Sequence, residues 1–204
     1  MLETRDIVRC ALFAAIVAAL GLLPPIALGF IPVPITAQTL GVMLAGAVLG
    51  ARRGFVALVL FNLLVAAGLP LLPGGRGGLG IFLGPTGGFV LGWPVGAFVT
   101  GWCAERFARP GVLTLFACCI AGGIGAVYAV GIPWLALIGG LPWDKAAFGS
   151  LAFVPGDLIK ASVAAFVAAA LWRAYPLADA PDIVSGPVRH GRTAHAGPDR
   201  AVDR

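Results

Sequence analysis

The chain has 204 residues, of which 59% are hydrophobic and only 11% are charged. Soluble domains carry about 25% charged residues, so this composition excludes an ordinary soluble protein and indicates an integral membrane protein. The formal net charge is +5, but the cations are scattered between apolar runs, which excludes the clustered basic surface that nucleic-acid binding needs.

Apolar runs predict six transmembrane helices, and the first extends from Cys10 to about Leu28. A signal peptide is the alternative for this run, but a pair of prolines interrupts it and its cleavage site is poor. Alanines recur at every fourth position of this helix and form a stripe of small residues suited to contact with another helix, within the chain or in a partner. The stripe comprises Ala11, Ala15 and Ala19.

A proline-punctuated loop, residues 29–38, separates the first helix from the second. Its apolar residues predict a loop that lies on the membrane surface or re-enters the membrane. Its polar side chains include Thr36 and Gln38, which are candidates to bind a substrate. The second helix, from Thr39 to Gly50, is short for a membrane span.

The third helix is predicted from Gly54 to about Leu72 and carries one polar residue, Asn62. A glycine-rich loop with a single charge, Arg76, follows it. Glycine-rich loops can bind phosphate, but this loop lacks the GK[ST] ending and the strand-to-helix setting of a P-loop. A mobile lid over a binding site is therefore the better interpretation.

The fourth helix opens at Gly84-Pro85-Thr86, where the first turn tolerates proline. Its glycines recur at four-residue spacing and predict a close-packing groove, which would be a cavity only if no helix packed into it. The fifth helix, from Gly111 to about Leu137, contains glycines that can bend it and one phenol, Tyr128. Residues 139–149 are predicted to form a loop.

The sixth helix carries an acid and a base, Asp157 and Lys160, in an otherwise apolar segment that ends at Arg173. Their spacing of three residues places both side chains on one helix face. The thirteen residues from Lys160 to Arg173 rise about 20 Å against a hydrocarbon core of about 30 Å, so Lys160 is predicted to lie inside the apolar slab. Ionisable groups there usually face a cavity or a partner. A polar pocket is therefore preferred over the alternative, a snorkelling lysine beside a helix-capping aspartate.

Six helices place both termini on one side of the membrane, and the distribution of arginines assigns that side to the cytoplasm. Only Arg76 and Lys145 fall in loops on the opposite side. The proline-rich loop, the glycine-rich loop and the Asp157–Lys160 pair then converge on the outer half, so the site is predicted to open outward. Residues 176–204 lack a hydrophobic period and are predicted to be a disordered cytoplasmic tail, which leaves residues 1–175 as one transmembrane domain.

Four segments of the chain have the character of family motifs: in chain order, Pro32 to Gly46, Gly68 to Pro70, Leu83 to Phe89 and Pro155 to Lys160. Together they resemble the BioY family, the substrate-binding S components of energy-coupling-factor (ECF) biotin transporters. The resemblance covers about residues 5–174. It implies an all-α integral membrane protein with the six-helix ECF S-component fold, and biotin bound near the outer surface beneath the first and third loops.

The resemblance also implies partners, namely a transmembrane T component and a pair of ABC-type ATPases, with the alanine stripe on the first helix as the face that docks to the T component. The chain has no Walker motif, so ATP hydrolysis is assigned to those partners and no cofactor is expected in this chain. Uptake by the chain without a dedicated module and homo-oligomer formation stay open.

The chemistry of biotin fits these residues. Its ureido ring offers two N–H donors and one carbonyl acceptor, so Asp157 is predicted to accept from the ring and Lys160 to donate to its carbonyl or to neutralise Asp157. Arg76 is the candidate for the valerate carboxylate. The remaining candidates for substrate binding are polar or aromatic: Thr36, Gln38, Asn62, Thr86, Trp93 and Tyr128. Trp93 is predicted either to face the thiophane ring or to pack in the core.

Three other functions fit the sequence less well. An enzyme using Asp157 and Lys160 as an acid–base pair lacks a nucleophile–base arrangement, a metal cluster and a second carboxylate nearby. The four cysteines form no CxxC pair and have no histidine at metal spacing, so no metal site is predicted. A channel would need polar residues along a continuous path, whereas here they gather at one end. A purely structural subunit would leave Asp157 and Lys160 unexplained.

Overall fold

A computed structural model describes residues 4–174, so the predicted tail lies outside the described residues. Within this range the chain is helical, with two isolated β-bridges and no strand. The elements are α1 (Thr4–Leu20), α2 (Gln38–Leu49), α3 (Ala51–Ala66), α4 (Gly80–Leu83), α5 (Gly87–Ala104), α6 (Val112–Cys119), a π-helical segment (Ile120–Ala126), α7 (Val127–Ile138), α8 (Trp143–Leu151) and α9 (Val154–Ala174).

Three helical stretches among the described residues are long and apolar enough to cross a membrane. They are α5, the continuous stretch from α6 through the π-helical segment to α7, and α9. The other three predicted transmembrane segments correspond to α1, α2 and α3, which are helical in the structure but shorter than 18 residues. The chain is therefore a multi-pass helical membrane protein.

Three predicted boundaries were wrong. The first helix is displaced toward the N-terminus and ends at Leu20, because a turn begins at Gly21 and the following prolines cannot continue the helix. α3 begins at Ala51 rather than Gly54, directly after Gly50, whose φ of 83° makes the sharp turn out of α2. The predicted loop 139–149 contains most of α8, which Pro142 precedes and whose first turn carries an acidic residue, Asp144.

α5 is the central helix and packs against α2, α3, α7 and the π-helical segment. The glycines of α5 face α7 and the π-helical segment, so this row is a close-packing surface, as predicted, and not a cavity. A Cβ added at Gly88 would collide with the side chain of Trp134, and one added at Gly122 would collide with Thr100. Small residues here let the helix backbones approach closely.

Polar contacts gather several helix ends at one end of the bundle. Asp6 Oδ1 lies 2.8 Å from Arg53 Nε, which joins the starts of α1 and α3. The backbone N–H of Ala51 donates to Glu105 Oε1 at 2.8 Å, which adds the end of α5. The indole of Trp172, near the end of α9, donates to the Ala47 carbonyl at 3.0 Å. Seven arginines lie on or beside these helix ends: Arg5, Arg9, Arg52, Arg53, Arg106, Arg109 and Arg173.

Candidate functional site

A pocket lies between the proline-rich loop, the glycine-rich loop and the starts of several helices. We name it the main pocket. The proline-rich loop contributes its residues 33–36, and the turn before α4 contributes residues 72, 73 and 76. The rest of the wall comes from α2, α5, α7 and α9 together with the residues just before α5 and α9: Thr39, Thr86, Phe89, Val90, Trp93, Val127, Tyr128, Phe153, Asp157 and Lys160.

A polar cluster centred on Asp157 forms one part of the pocket wall. Lys160 Nζ lies 2.9 Å from Asp157 Oδ1 and also donates to Thr39 Oγ1 at 3.0 Å. Thr39 in turn donates to Asp157 Oδ1 at 3.0 Å, and the Tyr128 hydroxyl donates to Asp157 Oδ2 at 2.7 Å. The side chain of Asp157 is 4% exposed and that of Lys160 is 16% exposed. Asp157 and Lys160 form an ion pair, and three further hydrogen bonds with Thr39 and Tyr128 surround it. Both charges are therefore compensated at membrane depth.

The four side chains of the cluster meet because they lie in or next to the first turns of three helices, α2, α7 and α9. Asp157 lies in the first turn of α9 and its backbone N–H donates to the Phe153 carbonyl, while Lys160 follows one turn later on the same face. Thr39 lies in the first turn of α2 and Tyr128 in the first turn of α7. Three segments distant in sequence are thus joined through one carboxylate.

Aromatic rings line the pocket next to the cluster. Phe89, Tyr128 and Phe153 form a set of edge-to-face contacts with ring centroids 6.0–6.4 Å apart. Trp93 lines the pocket but is only 4% exposed, and its ring lies 5.8 Å from that of Phe61. Trp93 therefore lines the pocket and packs in the core at once, and its contact with the thiophane ring stays a prediction.

The glycine-rich segment is a defined turn. Leu72 and Arg76 exchange two backbone hydrogen bonds of 3.0 and 3.1 Å, and Gly74 and Gly75 between them have φ values of 79° and 70°. A residue with a Cβ would be strained at either glycine. The Arg76 Nε donates to the Pro73 carbonyl at 3.2 Å, which leaves the other guanidinium N–H groups free to face the pocket.

The proline-rich loop is pinned in a similar way. Ile26 and Ile35 exchange two backbone hydrogen bonds of 2.9 Å each, so the loop folds back on itself and presents residues 33–36 to the pocket. Thr36 and Thr86 both lie on the pocket wall, and their role in substrate binding stays a prediction.

Two predicted site residues lie away from the main pocket. Gln38 is fully buried, and its Nε2 donates to the carbonyls of Val17 and Leu71, each at 3.0 Å. Asn62 Nδ2 donates to the Val90 carbonyl at 2.9 Å on the α3–α5 interface. Both amides bond to backbone carbonyls, so the structure corrects their placement from the pocket wall to the packing behind it.

Thr39 is a pocket residue that sequence reasoning missed as a site residue, although its prediction as the start of the second helix is confirmed. The available signal was that Thr39 is, with Thr36 and Gln38, one of the hydrogen-bonding side chains in a long apolar stretch. Its role depends on Asp157, which lies 118 positions away in the chain. Pairing over that separation follows from the fold and not from local sequence.

The alanine stripe of α1 faces outward. Ala11, Ala15 and Ala19 are exposed, whereas Ala14 and Val17 are buried against the bundle. The stripe is therefore a free surface of this chain. Among residues 4–174 no group of three histidines, cysteines or acidic residues could hold a metal ion.

Comparisons with known proteins agree with this architecture. A model of the BioY family matches residues 1–177. The chain is 57% identical to the biotin transporter BioY of Rhizobium etli over 86% of this chain and 97% of the relative. It is 49% identical to the probable biotin transporter BioY of Bacillus subtilis over 88% and 96% of the two chains. Its fold matches a crystal structure of the S-component for biotin from an ECF-type ABC transporter, with a TM-score of 0.79, 33% identity and coverage of 83% and 91%.

Proposed function

Since the chain belongs to the BioY family, we propose that it takes up biotin across the cytoplasmic membrane as the substrate-binding S component of an ECF transporter. The relatives are named as biotin transporters, so the function proposed is transport and not an enzymatic reaction. The observation that supports this most directly is the hydrogen-bonding capacity that remains in the Asp157 cluster.

The cluster complements a ureido ring. Lys160 uses two of its three N–H donors on Asp157 and Thr39, so one remains for the ureido carbonyl. Asp157 Oδ1 accepts two hydrogen bonds while Oδ2 accepts one, which leaves a lone pair on Oδ2 for one ureido N–H. The Tyr128 hydroxyl donates a hydrogen bond to Asp157 Oδ2, and its oxygen retains lone pairs that can accept from the other ureido N–H. Two acceptors and one donor match the two donors and one acceptor of the ring.

Arg76 supplies the counter-charge for the valerate carboxylate. It lines the same pocket, and only its Nε is engaged, by the Pro73 carbonyl. A guanidinium–carboxylate hydrogen bond is charge-assisted and roughly twice as strong as a neutral one. The apolar and aromatic wall between Arg76 and the cluster, including Phe89 and Trp93, suits the thiophane ring and the alkyl chain.

Admission of biotin requires the loops to open. The pocket has a volume of about 60 Å³, well below the roughly 300–1,000 Å³ of typical small-molecule sites. The turn that carries Arg76 covers the pocket and is hinged on glycines, so we assign it the role of lid.

The remaining parts of the proposal concern the transporter as a whole. We assign six transmembrane helices to the chain, with both termini in the cytoplasm on the arginine-rich end and the pocket opening outward. The exposed alanine stripe of α1 is the docking face for a T component. ATPase partners supply the energy, and this chain needs no cofactor.

Calorimetric titration of the detergent-purified protein with biotin tests the proposal, with desthiobiotin and thiamine as comparison ligands. Saturable binding of biotin with no thiamine binding is expected. Absence of biotin binding by protein that unfolds cooperatively would refute the proposal. Desthiobiotin keeps the ureido ring and the carboxylate but lacks the sulfur, so its affinity reports how much the thiophane wall contributes.

A further inference from the structure

A second concavity adjoins the main pocket on the loop surface. Four prolines line it, namely Pro25, Pro32, Pro34 and Pro73, together with Ala27, Ile31, Gly74 and Arg76. We name it the proline groove. Its volume is about 380 Å³. Pro34, Pro73 and Arg76 line both the groove and the main pocket, so the two spaces share one wall.

We propose that the proline groove binds the chain attached to the carboxyl end of biotin amides, so that this protein also binds biotin joined through an amide to a linear chain such as lysine. This inference rests on the proposed function, because it takes the main pocket to be the site of the biotin bicycle.

Arg76 lies where the main pocket and the proline groove meet. With the ureido ring at the Asp157 cluster and the valerate directed at Arg76, the carboxyl carbon lies at the wall that the pocket and the groove share. A group bonded to that carbon then has the groove beside it. An amide oxygen accepts a hydrogen bond from a guanidinium as a carboxylate oxygen does, although without the charge, so Arg76 can hold either form.

The wall of the proline groove is mostly apolar. Prolines have no N–H donor, and with Ala27 and Ile31 they give the groove an apolar surface against which methylene groups can pack. Arg76 is the charged side chain on the wall. Such a surface suits the uncharged methylene chain of the amide, while the zwitterionic end of a linked lysine stays in the solvent beyond the groove.

Both sides of the proline groove come from segments that are held by paired backbone hydrogen bonds. The paired backbone hydrogen bonds between Ile26 and Ile35 fix one side, and those between Leu72 and Arg76 fix the other. Proline fixes φ at each of its positions, so less conformational freedom is lost when a ligand binds. Each side of the groove is therefore an internally fixed segment, and the groove is complete when the lid turn that carries Arg76 is closed over the pocket.

The test measures the affinity of the full chain in detergent for biotin and for biotinyl-lysine, with competition between the two. Biotinyl-lysine is expected to bind within about tenfold of biotin and to be displaced by excess biotin, since 1.4 kcal/mol, a tenfold change, is within the difference between charged and neutral hydrogen bonds. Ala27→Trp fills the groove and is expected to weaken biotinyl-lysine at least tenfold more than it weakens biotin. Leu22→Trp is the matched control, because Leu22 is 85% exposed near the groove but does not line it.

Each outcome has a defined meaning. Tight binding of biotin with no binding of biotinyl-lysine overturns the inference and leaves the proposed function intact, whereas failure of folded protein to bind either ligand overturns both. Equal losses for both ligands in Ala27→Trp also overturn the inference. A series of biotin N-alkyl amides needs no variant: affinity is expected to rise by up to about fourfold for each added methylene, and a flat series contradicts the groove.

Discussion

The side-chain amide of Asn62 on α3 donates to the backbone carbonyl of Val90 on α5 at 2.9 Å. Pro94, four residues after Val90, lies inside α5 and has no N–H to offer that carbonyl. Asn62 therefore supplies from a neighbouring helix the hydrogen bond that the proline removes. This explains why a polar residue lies in the apolar part of α3 that follows Arg53, and why α5 tolerates an internal proline.

A double-mutant cycle tests this pairing. Asn62→Ala is expected to destabilise the protein by about 1–3 kcal/mol, because it leaves a buried carbonyl unpaired. In a Pro94→Ala background residue 94 gains an N–H, so the cost of Asn62→Ala should fall by at least half. The measurement is the thermal unfolding of the four proteins in one detergent. Equal costs in both backgrounds would show that Asn62 does not compensate for the proline.

Asp157→Asn should weaken biotin binding at least tenfold, equivalent to about 1.4 kcal/mol. The amide cannot accept at both positions where the carboxylate now does, and Lys160 loses its ion-pair partner. Calorimetric titration gives the affinity, and thermal unfolding checks that the variant is folded. Asp144→Asn, an exposed acid on α8, is the matched control. Unchanged affinity in a folded Asp157→Asn protein would move the site elsewhere.

Thr39 offers a finer test of the same cluster. Thr39→Val keeps the shape but removes the hydroxyl that bonds to both Asp157 and Lys160, so a loss of about fivefold to twentyfold in biotin affinity is expected. Thr39→Ser retains the hydroxyl and should stay within about threefold of the parent protein. If the valine and serine variants bind biotin equally well, the hydroxyl contributes nothing and the assignment of Thr39 to the site is wrong.

Arg76→Ala should reduce affinity for free biotin more than for biotin methyl ester. The ester has no negative charge to lose, so its penalty lacks the charge-assisted part of the interaction. Titration of both ligands against the parent and the variant gives the two ratios, and a difference of at least threefold is expected. Lys145→Ala is the matched control, because it removes another exposed cation, one that lies on α8 and does not line the main pocket. Losses of the same size for acid and ester would reject the carboxylate role.

Ala15→Trp should abolish co-purification with a T component while biotin affinity stays within about twofold. The indole would stand in the middle of the exposed stripe and keep a partner helix at a distance. Ala170→Trp places the same side chain at an exposed position of α9 and should leave co-purification intact. Loss of the complex in both variants, or in neither, would separate the stripe from docking.

The sequence was most informative where a residue was chemically out of place. Asp157 and Lys160 lie in an apolar segment, and Arg76 is the single charge in a glycine-rich loop. Each of these positions therefore predicted a pocket or a charged partner. The structure brings all three to one pocket wall. Helix existence was predictable for the same kind of reason, because long apolar runs have few alternatives in a membrane.

Residues whose partners are backbone atoms of other segments were less predictable. Gln38 and Asn62 are polar residues in apolar surroundings too, yet each bonds to carbonyls that only the folded chain brings near. Thr39 was undervalued because its partners lie more than one hundred positions away. α8 was missed because its nine residues are fewer than the roughly 11–18 residues over which a helical period can be recognised.

The π-helical segment Ile120–Ala126 determines the direction in which the following helix presents its side chains. A π-helix closes hydrogen bonds between residues five apart, so these seven residues take up roughly one residue more than an α-helix of the same number of turns. One extra residue changes the angular phase of everything after it by about 100°. Tyr128 is the second residue beyond the segment, and its hydroxyl reaches Asp157 in the resulting phase. In an uninterrupted α-helix the same phenol would be rotated by more than a quarter of a turn, away from the carboxylate that it now completes.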